Sequence, residues 1–194
     1  MKILSTIKLI TISVVALVGL TFLTVDAPVK IEKKEINLVN LPNTVELIGF
    51  ENQEFNASSI IKKDTIIFVG NHESIVLADD LEKMLNLSVG KFIIVSNVSD
   101  APWFIKRWQA HTKNTTLKGQ KPTPWIYDRD GAIRNFLSVP TSDAVKYFVY
   151  KVNSEGIINR VYVGKVKMGT IEGNMTKDEI KENLSLAVKA IKEN

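Results

Sequence analysis

Thr65-Ile66-Ile67-Phe68-Val69, broken at once by Gly70-Asn71-His72-Glu73-Ser74, is the stretch on which the fold turns. A short, continuous apolar run rich in β-branched residues predicts a strand buried on both faces. Past the break, Leu77, Leu81, Met84, Leu85 and Leu87 recur at helical spacing, with Asp79, Asp80, Glu82 and Lys83 between them. Phe92-Ile93-Ile94-Val95 repeats the buried-strand pattern and ends at Ser96-Asn97.

On the amino-terminal side, Val45-Glu46-Leu47-Ile48-Gly49-Phe50 and Glu51-Asn52-Gln53-Glu54-Phe55 read as two short strands around a polar turn. On the other side a long segment, Ala101 to Pro124, leads to a short strand at Trp125-Ile126-Tyr127 and a turn at Asp128-Arg129-Asp130-Gly131. Ala132, Ile133, Phe136 and Leu137 suit a short helix that stops before Pro140. Tyr147 to Val152 alternates, Asn153-Ser154-Glu155-Gly156 turns, and Ile157 to Val163 returns as the second arm of a hairpin. Thr176 with Glu179 three residues later is a capping box, and Ile180, Leu184, Ala187, Val188 and Ile191 then form one apolar stripe. Strand, helix, strand, short helix, hairpin and helix, in that order, predict an α/β layer fold with a mixed sheet.

The chain has 194 residues, 45% hydrophobic and 24% charged, ordinary values for one globular domain with its own core. A net charge of +4 is too mild to argue for nucleic acid. Cysteine is absent, which excludes disulfides, thiolate metal sites and thiol redox chemistry together. Lys2 and Lys8 precede an uncharged run from Leu9 to Val25, the charged-then-apolar pattern of an export signal. The run is near the lower limit for crossing a bilayer, and Pro28 stands just after the small-residue stretch Val25-Asp26-Ala27, where it obstructs cleavage. The expectation is a periplasmic body held in the inner membrane through residues 9–25, with a cleaved signal peptide as the alternative. Residues 1–27 are then leader or anchor, 28–37 a charged tether, and 38–194 the folded domain.

The same landmarks resemble the thioredoxin-like superfamily, especially its peroxiredoxin-like branch. Glu46 to Phe55 resembles that branch's leading hairpin, Ile66 to Gly70 its first central strand, and Val95 to Asp100 its second strand and loop. Trp125 to Gly131 resembles the short strand and aspartate turn, and Phe148 to Gly156 the late hairpin. The resemblance spans about residues 38–194 and implies a thioredoxin-like three-layer fold with a mixed central sheet. Within the superfamily the chain is most similar to small cysteine-less periplasmic proteins of the YtfJ type. Where a thioredoxin carries its Cys-X-X-Cys pair and a peroxiredoxin its reactive cysteine, this chain has Gly70-Asn71-His72-Glu73-Ser74. The superfamily's proline before the late strand is displaced to Pro140.

Candidate site residues fall in three groups. Asn71, His72, Glu73 and Ser74 occupy the superfamily's active position, where a His beside a carboxylate and a hydroxyl can do acid–base work. The plainer account is that Asn71 or Ser74 caps the helix, Glu73 suits its positive end and His72 decorates the surface. Second, from Ala101 to Tyr127 there is no Asp or Glu, while Lys106, Arg107, Lys113, Lys118 and Lys121 interleave with Trp103, Trp108 and Trp125. Cations among large aromatics suit an anionic partner, a glycan or a lipid surface, and the partner expected is an envelope protein or anionic ligand. The plainer account is that Trp103, Phe104, Ile105 and Trp108 pin a short amphipathic helix to the core while the lysines solvate a loop. Third, Asn56 and Asn174 lie in acceptor sequences with an acidic residue two before the Asn, resembling the extended N-glycosylation signal of some bacteria. An Asn-rich composition also produces such sequences by chance, and Asn174 abuts the Thr176 cap.

Two histidines without ligand spacing, no glycine-flanked serine and no phosphate loop lead to expectations of no metal, no cofactor and no nucleic-acid partner. The sequence reading is therefore an exported, non-redox binding or envelope accessory module. Its rivals are a thiol-independent enzyme built on Asn71-His72-Glu73-Ser74 and a chaperone-like binder of unfolded chains.

Overall fold

The computed structural model describes residues 36–50, 53–99, 115–119, 121–140 and 145–194. All belong to one compact unit, Ile31–Asn194. The leader, residues 28–35 of the tether, Trp103, Lys106, Arg107, Trp108 and Lys113 lie outside the described residues, while Ile36 and Asn37, expected to belong to the tether, form a strand of the sheet.

Six strands form the main sheet: β1 (Ile36–Asn37), β4 (Ile66–Gly70), β5 (Phe92–Asn97), β6 (Trp125–Asp128), β7 (Lys146–Val152) and β8 (Ile157–Lys165). Their spatial order is β1-β8-β7-β4-β5-β6. β4, β5 and β6 run parallel, while β7 pairs antiparallel with β4 and β8, and β8 with β1. The mixed sheet expected from the sequence is therefore present. Every residue of β4 and β5 is buried, as their continuous apolar runs require.

Alternation along these strands divides the core in two. Ile66, Phe68, Phe92 and Ile94 face helices α2 (Ala78–Leu85) and α5 (Lys177–Glu193), meeting Leu81, Leu184, Ala187 and Ile191. Ile67, Val69, Ile93 and Val95 face the other side, among Ala57 and Ile61 near α1 (Ala57–Ile60) and Ile133 and Leu137 near α4 (Ala132–Phe136). Sheet plus covering on both faces makes three layers.

Several boundaries differ from the sequence expectation. The leading hairpin is β2 (Thr44–Glu46) with β3 (Glu54–Asn56), shorter and set further apart than the apolar runs suggested. Leu47 leaves it to bridge Ile126, and the Ile48 N–H donates to the Trp125 carbonyl at 2.9 Å, so these residues close the β6 edge instead. Leu87 is outside the helix that its spacing suggested. Asn86 takes a left-handed conformation (φ 49°) at the end of α2 and stops it, leaving Leu87 38% exposed. The capping box at Thr176 and Glu179 forms as read. Among the described residues no helix is long and apolar enough to cross a membrane.

Candidate functional site

Parallel β4, β5 and β6 end at the same edge of the sheet, the edge where open α/β sheets place their ligands. Gly70 ends β4, and its lack of a side chain is what permits the turn that follows. A Cβ there would lie 2.8 Å from the Phe68 ring and 2.9 Å from the Ile75 Cα. The Asn71 carbonyl accepts from the Ile75 N–H at 3.0 Å, and a 3-10 turn (Ile75–Leu77) leads into α2.

The four residues at this entrance have different fates. Ser74 is fully buried; its hydroxyl accepts from the Asn71 N–H at 3.0 Å and donates to the Lys146 carbonyl at 2.9 Å. Glu73 is buried too, its carboxylate accepting from the Ile171 N–H at 3.3 Å. Asn71 and His72 are half-buried. Ser74, preceding the 3-10 turn, makes no side-chain cap bond, and the Glu73 carboxylate accepts from a distant loop. A serine whose hydroxyl is committed at both ends, with no base on it, is a clamp between β7 and the helix entrance.

From Asn71 a chain of hydrogen-bonded side chains crosses the edge and ends on a guanidinium. Asn97 Nδ2, at the end of β5, donates to Asn71 Oδ1 at 3.2 Å. Asn97 Oδ1 accepts from the Ser99 hydroxyl at 2.8 Å and from its N–H at 3.3 Å. Arg134 Nη1, from α4, donates to Ser99 Oγ at 2.8 Å. The end of β6 supplies Asp128, buried, whose carboxylate accepts from the Ile133 N–H at 3.0 Å and the Arg134 N–H at 2.8 Å. Burial pushes the Asp128 pKa up, opposed by those two amides. The sequence places Asp128 in a turn and Asn97 and Ser99 at a strand end and its loop, and by itself assigns no site role to them or to Arg134. The available signal is their position, each at the end of a strand of the parallel set or within a few residues after it.

Beside this edge lies an open apolar groove of about 790 Å³, lined by Val145, Val166, Met168, Met175 and Leu186 and flanked by the Lys167–Glu179 ion pair. Met168 is 67% exposed and Leu186 58%. The groove adjoins the entrance through the 166–175 segment, since Val166 N–H donates to the Val145 carbonyl at 2.8 Å while Ile171 holds Glu73. Nothing in the sequence reading anticipated it, because Val145 and Leu186 are brought together only by the fold.

The described part of the acid-free segment belongs to the fold. Trp125 is buried, 1% exposed, in the core. Lys118, ending the short α3 (Thr115–Lys118), donates to the Ile48 carbonyl at 2.7 Å and sits 5.2 Å from the centre of the Phe50 ring. Burial lowers its pKa. Lys121 is paired with Asp79. Neither lysine is a solvated loop cation, and Trp125 is not a surface aromatic. Among the described residues no three His, Asp or Glu side chains are grouped to hold a metal ion.

The strand order, the helix after β4 and the late hairpin followed by α5 make this a mixed α/β protein of thioredoxin-like fold. It is a cysteine-free version of that fold, with a buried serine clamp and an amide chain at the edge. No protein-family model matches the sequence, and no curated protein matches it. Solved structures similar to it include the bacterioferritin comigratory protein of Xanthomonas campestris, 12% identical, with a TM-score of 0.46 over 88% of this chain and 99% of that one. Another is PrxQ of Xylella fastidiosa, 12% identical, TM-score 0.46, over 84% and 99%. A third is a secreted thiol-disulfide isomerase of Corynebacterium glutamicum, 15% identical, TM-score 0.43, over 84% and 96%.

Proposed function

We propose that this protein is an exported, inner-membrane-anchored, non-redox binding module of the cell envelope, similar to the YtfJ type. It holds a protein partner at the carboxyl edge of its parallel strands. The observation that carries the reading is the apolar groove bordered by exposed Met168 and Leu186 next to that edge. Exposed apolar surface in a concave site marks binding, and methionine adapts to varied partners. The hydroxyl and carboxylate that an enzyme built on Asn71-His72-Glu73-Ser74 needs are instead committed to Lys146 and Ile171. Export is supported by Lys2, Lys8 and the Leu9–Val25 run.

The test is crosslinking in intact cells, comparing the native chain with Met168→Glu and Leu186→Glu. Both side chains are exposed, so the variants should melt like the native protein while losing the crosslinked partner. Undiminished capture by both variants would remove the groove from the reading. Insulin reduction or peroxidase turnover by the metal-free purified protein would overturn its non-redox character.

A further inference from the structure

Asn-X-Ser/Thr sequences occur at Asn56, Asn86, Asn97, Asn114, Asn174 and Asn183. Such a sequence is an acceptor for N-linked sugar on exported proteins. The reaction forms a bond between the Asn carboxamide nitrogen and the anomeric carbon of a sugar carried on a polyprenyl diphosphate. The bond from that carbon to the diphosphate oxygen breaks, the nitrogen gives up one proton, and polyprenyl diphosphate leaves. An acceptor must therefore offer an exposed carboxamide whose nitrogen is not committed elsewhere.

The fold separates the candidates, Asn114 lying outside the described residues. Asn97 is buried and uses both ends of its amide, toward Asn71 and Ser99. Asn183, inside α5, accepts from the Tyr147 hydroxyl at 2.5 Å and donates to the Lys165 carbonyl at 2.8 Å. Asn174 is exposed, but its Nδ2 donates to the Met168 carbonyl at 3.2 Å. That amide also covers Gly169, where a Cβ would lie 2.1 Å from Nδ2. Its sequence partner Thr176 is held in the capping box. Asn86 is exposed, in a left-handed helix end, and the residue two before it is Met84 rather than an acid.

Asn56 differs from all of these. It is exposed, with exposed Glu54 two residues before it and exposed Ser58 two after. Its Oδ1 accepts from the Ser58 N–H at 3.0 Å and from the Ser58 hydroxyl at 2.7 Å. The acceptor sequence's own hydroxyl thus polarises the carboxamide through its oxygen, while Nδ2 makes no hydrogen bond among the described residues. Buried Ala57 pins the segment, so Asn56 and Ser58 are presented rather than loose.

We propose that Asn56, and not Asn174, is a site of N-linked glycosylation by a polyprenyl-diphosphate-linked sugar donor, an assignment that rests on the export proposed above. The test is peptide mass spectrometry on the protein purified from its own cells, with a compartment-sensitive reporter fused after Asn194. A sugar mass on the Asn56 peptide is expected, lost in Asn56→Gln and Ser58→Ala and kept in Ser58→Thr and Asn174→Gln. A bare Asn56 in protein whose reporter is outside the cytoplasm overturns the site and leaves export standing. Sugar on Asn174 or Asn86 with Asn56 bare overturns it as well. A bare Asn56 with the reporter active only in the cytoplasm overturns both.

Discussion

The helix after β4 begins on contacts from far along the chain, whereas α5 begins on contacts with its own first turn. At the first, the Ser74 hydroxyl reaches Lys146, 72 residues away, and Glu73 reaches Ile171, 98 residues away. At the second, three residues apart, the Glu179 carboxylate accepts from the Thr176 N–H and the Thr176 hydroxyl oxygen accepts from the Glu179 N–H. A locally closed helix start is independent of what surrounds it. A start closed from a distance fixes several segments to one another, and here it holds β7, the 166–175 segment and the edge of the sheet in one arrangement. That is also where the groove and the amide chain lie.

The largest effect expected near the first arrangement comes in the β7–β8 ladder, one residue along from Lys146. A Cβ at Gly164 would stand 2.0 Å from the Tyr147 ring, which is fully buried, stacked on Phe68 at 5.2 Å and bonded to Asn183. With nowhere for that ring to go, Gly164→Ala should cost about 3 kcal/mol, the upper end of overpacking, read from the shift of a urea unfolding midpoint.

Ser74→Ala comes next. It strips a partner from both the Lys146 carbonyl and the Asn71 N–H. A hydrogen bond contributes about 1 kcal/mol net, so losing two at half-buried residues should cost about 2 kcal/mol. Thr176→Ala should cost only about 1 kcal/mol, the usual value of a lost N-cap. If the two serine and threonine variants unfold at the same urea concentration, the contrast between distant and local closure fails.

The smallest effect sharpens the local side. The Lys167 ammonium bonded to Glu179, together with the Thr176 N–H, holds the Glu179 carboxyl down at about 2, from an ordinary 4.5. A depressed carboxyl stabilises the fold fully above its unfolded value and loses that contribution as pH falls toward the folded one. The melting-temperature advantage of the native chain over Glu179→Gln should therefore fade between about pH 4.5 and 2. Because the pair is exposed, salt should shrink it at every pH. An advantage unchanged down to pH 2 would separate the capping box from this ion pair.

Much of this contrast was legible beforehand, on one side only. The capping box announces itself in Thr176 and Glu179, and the buried strands in Ile66 to Val69 and Phe92 to Val95. The entrance residues were located by resemblance, but their roles were not: Ser74 and Glu73 looked available and are buried. Asn71, Asn97, Ser99 and Arg134 carry no spacing signal, because what aligns them is the parallel pairing of β4 with β5 and the position of α4. Lys118 and Lys121 looked like solvated charges because composition says nothing about the carbonyl of Ile48 or the carboxylate of Asp79.

By itself the sequence determined the properties that depend on residue type and near neighbours: the order of strands and helices, the capped start of α5 and the absence of thiol chemistry. Tertiary structure alone decided which polar side chains are spent on holding the fold and which remain at the surface, and where apolar residues stay uncovered. The physical reason is range. Periodicity and caps act within a few residues. The partner of a buried hydroxyl, or the far wall of a groove, is supplied by whatever strand register and helix packing bring alongside it.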